Sequence, residues 1–252
     1  MYKKISVKSY ENIIMGINPV IEALNSDKHF EKILLSNSAN NKNINKLINI
    51  AKEHSVLIKR VDRKKLDDLT DSKNHQGCAA ILSSVKYSTV QEILDFAQEK
   101  GESPFLIIAD CIEDPHNLGA IIRTAECSGA HGIIIPQRHC CGITPVVSKT
   151  SAGAAGHLHI SKVVNLSRTV DDLKKAGLWI YCADMNGKLW NETDFTGPSA
   201  LIVGNEGKGV SRLLKEKSDF TVALPLKGKV NSLNASVAAG ILMYEVLRQR
   251  SI

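Results

Sequence analysis

The sequence has no apolar run long enough to cross a bilayer, no CxxC pair among its six cysteines, no internal repeat and no low-complexity tract. A spanning helix needs about 20 consecutive apolar residues, so none is expected. Cys78, Cys111, Cys127, Cys140, Cys141 and Cys182 lack the paired spacing of a zinc or redox motif, and a chain of this length has little need of a disulfide framework. His157 and His159 stand two apart with no third ligand placed, so no metal site is expected. The opening stretch MYKKISVKSY carries lysines with no apolar segment behind them, so a secretory signal is not expected either. These absences together point to a reduced, cytoplasmic protein.

What is present is a chain of 252 residues, enough for one large domain or two modest ones. Its net charge of +6 is unevenly placed. Residues 1–90 hold 15 Lys and Arg against 9 Asp and Glu, whereas residues 91–252 hold 17 of each. All of the positive excess lies in the first third. A positive surface attracts polyanions; a merely solvated lysine-rich face is the alternative.

Apolar periodicity divides the chain. In the first part, Asn18 and Pro19 ahead of VIEAL read as an N-cap and a proline at the first helical position. Strands are expected at 31–36, 55–59 and from Cys78, with a helix over 44–54. This gives a small α/β unit over 1–85, and a polar stretch with one helix over 86–103 is the candidate linker. In 104–252, FLIIAD (105–110), HGIII (131–135), LWIYCAD (178–184), ALIVG (200–204) and FTVALP (220–225) are continuous apolar runs. Strands buried on both faces read this way. Helices are expected at about 117–128, 168–176, 209–216 and 232–250. Alternation of strand and helix predicts a largely parallel sheet covered on both faces.

Ligands of such sheets bind beyond the carboxyl ends of the strands. The loop LIVGNEGKGV is glycine-rich, but Gly204, Gly207 and Gly209 fit neither the dinucleotide fingerprint nor the P-loop. Glu206 in its middle would repel a phosphate. The loop suits a neutral or cationic ligand, unless its glycines serve only a tight turn. In DCIEDPHNLGAIIRTAE, Asn117 falls near a helix start and Arg123 stands among small and apolar residues, facing an anion or paired to Glu126. In PLKGKVNSLNAS, Asn231, Ser232, Asn234 and Ser236 surround Leu233 directly before a helix. Ser232 or Asn231 alone accounts for an N-cap but not for all four.

Three motifs in order, N117-L-G-A-I-I-R123-T-A, L201-I-V-G-N-E-G-K-G209 and L224-P-L…N231-S-L-N-A-S236, resemble the signatures of the SpoU (TrmH-type) RNA ribose 2′-O-methyltransferases of the SPOUT class. MGINPVIEAL and HQGCAA resemble the substrate-binding domain, related to a ribosomal-protein fold, that precedes the catalytic domain in the RlmB-like branch. The resemblance implies a C-terminal α/β SPOUT domain with a deep trefoil knot, an obligate homodimer, and S-adenosylmethionine (SAM) as methyl donor. It implies a guanosine in the peptidyl-transferase region of 23S rRNA as target, not DNA. Backbone around Gly204, Leu224 and Leu233, with Val203, Asn205 and Gly209, is then expected at the cofactor. Asn117, Arg123, Glu206, Ser232 and Asn234 match the catalytic positions. Arginine is a poor base, so Arg123 is expected to bind a phosphate and stabilise the developing alkoxide, oriented by Ser232 and Asn234, while Glu206 fixes the loop or Asn117. After SAGAA the family often has glutamate where this chain has Gly156, which puts that polar contact in doubt. A tRNA ribose is the alternative target, and a non-catalytic rRNA-binding assembly factor the alternative class.

Overall fold

The computed structural model describes residues 12–40, 42–71, 74–230 and 232–251. The opening stretch and Asn231 lie outside them. The chain divides into two compact units, 1–84 and 85–252.

The first unit runs β1 (Ile13–Met15), α1 (Ile17–Leu24), β2 (Phe30–Ser36), α2 (Lys42–Glu53), β3 (Ile58–Val61), α3 (Arg63–Thr70) and β4 (Cys78–Leu82). Its sheet has the order β1-β4-β2-β3, antiparallel except for the parallel β2–β3 pair. Helices α1 and α2 close the core over Ile33, Leu35, Leu47 and Ala80. The helix at VIEAL begins earlier than expected. Gly16 is the N-cap, at φ 92°, and its N–H donates to Cys78 O at 3.0 Å. The β1–β4 pairing therefore fixes the start of α1 and leaves Asn18 and Pro19 inside the first turn. Proline is tolerated there because the first amides of a helix have no intrahelical acceptor. The short elements β1 and α3 were not expected, having too few residues to show a period.

The second unit contains α4 (Val90–Glu99), β5 (Phe105–Ala109), α5 (Pro115–Cys127), β6 (Gly132–Pro136), α6 (Pro145–Thr150), β7 (His159–Val163), α7 (Leu166–Lys175), β8 (Trp179–Leu189), β9 (Ser199–Val203), α8 (Arg212–Lys217), β10 (Phe220–Ala223) and α9 (Ala235–Arg250). All strands of its sheet pair in parallel, in the order β10-β8-β9-β5-β6-β7. Alternate residues of one strand feed opposite faces. Phe105, Ile107 and Ala109 join the core under α5 and α9, and Leu106 and Ile108 join the one under α7 and α8. That is why FLIIA reads as a continuous apolar run.

The stretch 86–103 is not a linker, because α4 is folded into this unit. Thr89 and Glu92 form a capping box, and Ile93 is fully buried in the second core. Gly132 leaves the room: a Cβ there would lie 2.7 Å from Ile93 Cδ1. The strand order also fixes where a ligand can sit. From β5 the chain builds outward through β6 and β7, then crosses back to lay β9, β8 and β10 on the other side. The switch point falls between β5 and β9, where crevices open beyond the carboxyl ends of the strands.

Candidate active site

Three loops meet at that switch point. After β9, the stretch 204–209 closes on itself: Gly209 N–H donates to Asn205 O at 2.7 Å, and Asn205 N–H to Gly209 O at 3.2 Å. The Asn205 side chain accepts from the amides of Gly207 (2.9 Å) and Lys208 (3.3 Å) and donates to Cys111 O at 3.3 Å. The amides of Asn205, Gly207, Lys208 and Gly209 are thus already bonded within the loop and do not point outward as in a phosphate cradle. Gly204 is required by this closure, since a Cβ there would come within 2.2 Å of the Gly209 carbonyl carbon. Gly209 itself has φ 66°, the left-handed region that suits glycine. The closure also delays α8, expected from about 209, to Arg212. Asp110 at the end of β5 anchors the same loop by accepting from Ser211 N–H at 2.7 Å. Burial, reinforced by the Asp110 charge, pushes the neighbouring Cys111 thiol up to about 11, so it stays protonated at neutral pH.

The second loop begins α5. Asp114 is the N-cap and Pro115 the first helical residue, which buries Asn117 in the first turn. The helix is held close to α6 at Gly119, where a Cβ would fall 1.9 Å from Thr150 Oγ1. The third loop leads into α9. Asn234 is its N-cap, accepting from the amides of Ser236 (2.9 Å) and Val237 (3.3 Å), so Ser232 does not fill that role.

Asn117, Glu206 and Asn234 converge from the three loops. Asn117 Nδ2 donates to Glu206 Oε1 at 2.8 Å, and Asn234 Nδ2 donates to Asn117 Oδ1 at 2.9 Å and also to Glu206 Oε1. One carboxylate therefore orients two amides. Beside this triangle opens a cavity of about 460 Å³, a size typical of small-molecule sites. Val203, Gly204, Asn205, Glu206, Gly209, Leu224, Ser232 and Leu233, all singled out from the sequence, line it. Asp184, Met185, Lys215, Val222 and Leu242 line it too and were not foreseen. Asp184 follows a strand like the others, but one aspartate after an apolar run carries little signal. Burial favours its neutral form, yet the bonds from Lys215 and Asn186 together hold the Asp184 carboxyl below its usual range.

Arg123 stands apart. It lies six residues beyond Asn117 on α5, about 9 Å along the axis and turned well away from it. It is exposed, does not line the cavity, and makes no pair with Glu126 or with any other described residue. The expectation that Asn234 orients Arg123 is not met within one chain, because the Asn234 amide is already bonded to Asn117 and Glu206.

Residues 104–244 match the SpoU rRNA Methylase family, and residues 13–88 match the family described as RNA 2′-O ribose methyltransferase substrate binding. The chain belongs to the SpoU rRNA methylase family. A Bacillus subtilis protein named as a TrmH family tRNA/rRNA methyltransferase is 44% identical over 239 residues, covering 94% of this chain and 96% of its own. The SpoU methyltransferase AviRb of Streptomyces viridochromogenes superposes with TM-score 0.61 at 25% identity, over 95% of this chain and 90% of its own. The AdoMet-bound rRNA methyltransferase of Sinorhizobium meliloti shares the fold, with TM-score 0.60 at 24% identity, over 94% of this chain and 87% of its own. As a SpoU enzyme this chain is a SAM-dependent RNA ribose 2′-O-methyltransferase with a SPOUT fold. The cavity fits such a cofactor. Val203, Val222, Leu224 and Leu242 offer an apolar wall to a nucleoside, and Glu206 suits a sulfonium where it would repel a phosphate. Among the described residues, no helix is long and apolar enough to cross a membrane.

Proposed function

We propose that this SpoU methyltransferase modifies the ribose of a guanosine in the peptidyl-transferase region of 23S rRNA. The observation that carries the choice of rRNA is the joining of a substrate-binding unit, whose residues 1–84 hold 14 Lys and Arg against 9 Asp and Glu, to a nearly neutral catalytic unit. RNA bound through such a surface is read by shape and phosphates and is released by salt. Incubating the protein with labelled SAM and either rRNA or tRNA from a methylation-deficient strain tests this. Label confined to the large-subunit rRNA supports it; label in tRNA transfers the activity there, and no label in either pool favours a binding factor.

In this reading the backbone at Gly204, Leu224 and Leu233, flanked by Val203, Asn205 and Gly209, holds the adenosine. Bound SAM supplies an electrophilic methyl group on a cationic sulfur. The chain's own part is placement. Glu206 locks Asn117 and Asn234 in one orientation at the cavity rim, where they and Ser232 receive the ribose, so that the 2′-oxygen approaches in line. Arg123 grips the adjoining phosphate and stabilises the oxygen as its proton passes to solvent at the exposed rim.

Arg123 meets these groups in a homodimer. Val237, Ile241 and Tyr244 form an exposed apolar row along α9, which packs against α5, the helix that bears Arg123. A second copy covering this face brings its own Arg123 towards the first copy's cavity, with the chain between β9 and α9 tied in the family's trefoil knot. Sedimentation of the intact protein at micromolar concentration reads the dimer directly.

A further inference from the structure

The catalytic unit is close to electrically neutral, yet its cations fall into two populations. On the helices α7 and α8 they are neutralised. Lys174 pairs with Asp219 at 2.6 Å, Lys217 with Asp171, Arg212 with Glu216 at 2.6 Å and Lys175 with Asp172 at 3.3 Å. Lys86, Arg123 and Lys188 have no ion pair or side-chain hydrogen bond with a described residue, and five further cations without one gather at one end of the sheet. The side chains of Arg138, Lys149, Lys208, Lys227 and Lys229 make no ion pair or hydrogen bond with any described residue. Four of these are exposed in loops that follow the carboxyl ends of β6, β9 and β10, and the fifth is exposed on α6.

The topology sets these loops side by side. Cys141 N–H, in the loop after β6, donates to Ile112 O at 3.0 Å, and Thr150 Oγ1 of α6 donates to Pro115 O at 3.2 Å. Arg138 and Lys149 are thereby tied to the loop that carries Asn117. On the other side, Lys208 is two residues from Glu206, while Lys227 and Lys229 lie between β10 and the cavity wall at Ser232. The order β10-β8-β9-β5-β6 puts the Asn117–Glu206–Asn234 triangle between the two groups. At strand spacings near 4.8 Å the row is about 19 Å wide. The acids at this end are engaged: Asp110 with Ser211 N–H, Asp114 in its cap, Asp184 with Lys215 and Glu206 with the two amides. Glu113 is the exception. His139, next to Arg138, is exposed and has φ 59°, an uncommon conformation for a non-glycine residue and one found at sites that bind.

We infer that Arg138 and Lys149 on one side, and Lys208, Lys227 and Lys229 on the other, form a phosphate-binding strip that holds the RNA backbone on both flanks of the target ribose. The strip belongs to the catalytic unit and acts in addition to the separate substrate-binding unit. It rests on the placement of the reacting ribose at the Asn117–Glu206–Asn234 rim. Unpaired cations in a row attract a polyanion whatever its sequence, so these residues set register and affinity and leave base choice to other contacts.

The test uses the full-length protein and an unmodified large-subunit rRNA transcript. R138Q, K149Q and the double variant K227Q/K229Q are compared with K175Q, which removes a paired cation from α7. The expected result is a weaker RNA affinity and a raised KM for RNA, with unchanged affinity for SAM. The slope of log affinity against log salt should fall by about 0.7–0.9 for each lost phosphate contact. K175Q should keep the wild-type slope. A wild-type slope and KM in the strip variants, or an equal loss in K175Q, would overturn the proposal. If the wild type methylates tRNA and not this transcript, the rRNA assignment fails, and the same comparison on tRNA still decides the strip.

Discussion

Asn234 does two things at once, and the two can be separated. Its Oδ1 caps α9 by accepting from Ser236 and Val237, and its Nδ2 donates to Asn117 and Glu206. Asn234→Ala removes both roles. Loss of an N-cap costs about 1 kcal/mol, or roughly 2–4 °C in Tm for a chain of this size. Asn234→Asp keeps the acceptor and places a negative charge at a helix N-terminus, worth about 0.3–1 kcal/mol. It also removes the donor and sets a second carboxylate beside Glu206, a repulsion of order 1 kcal/mol this close to solvent. Both variants lose the donor bonds, so Asn234→Asp should melt below wild type but about 1–4 °C above Asn234→Ala, the margin left by the retained cap and the dipole gain after the repulsion. Turnover depends on the donor instead. Losing a hydrogen bond to a charged group is worth about 1.5–3 kcal/mol, which lowers the rate roughly 10- to 150-fold if the orientation of Asn117 and Glu206 matters in the transition state. Differential scanning calorimetry and single-turnover methylation of rRNA give the two numbers. An Asp variant that melts like Asn234→Ala, or one that turns over within about threefold of wild type, would refute the division of roles.

Arg123→Lys retains the charge but loses the guanidinium fork, so single-turnover rates should fall about 100-fold; near-normal turnover contradicts its assignment. Gly204→Ala forces a Cβ against the Gly209 and Val210 backbone at 2.2–2.3 Å. Spreading this loop should cost about 1–3 kcal/mol by chemical denaturation and weaken SAM in calorimetric titration. His131 is buried, accepts from Phe105 N–H through Nδ1 at 3.0 Å and meets Glu102 through Nε2 at 3.1 Å. Burial lowers its pKa, outweighing the opposite pull of Glu102. A depressed histidine binds more protons unfolded than folded, so its contribution is complete above about pH 6.5 and is lost as pH falls through the folded value. Tm measured from pH 7 to pH 5 should drop less steeply in His131→Gln, and parallel curves would rule this out.

Much of the fold was legible because buried parallel strands leave continuous apolar runs, as at FLIIA and GIII, that no exposed element imitates. The elements that stayed hidden are short or context-made. Helix α6, within a stretch read as a glycine- and cysteine-rich loop, spans six residues and is held by Gly119 and Thr150, a contact between distant segments. The place of 86–103 is hidden in the sequence for the same reason: its polar composition describes the exposed face of α4, whereas two buried residues, Ile93 and Ala97, decide its place. In the site, the misfit of Glu206 among glycines was the useful clue, and the bonds from Asn117 and Asn234 now account for it. What local sequence does not encode is the third dimension of Arg123. Helical spacing shows it to be on another side of α5 from Asn117, but not what meets it there.

The central claim is that this SpoU enzyme methylates one ribose in large-subunit rRNA through the Asn117–Glu206–Asn234 rim. Mass-spectrometric mapping of ribose methylation in rRNA and tRNA tests it most directly, in cells lacking this chain and complemented with wild type or Glu206→Gln. The expected result is a single 2′-O-methylguanosine in the large-subunit rRNA that disappears on deletion, returns with wild type and stays strongly reduced with the variant. Its persistence without the chain, or the loss of a tRNA ribose methyl group instead, would contradict the account.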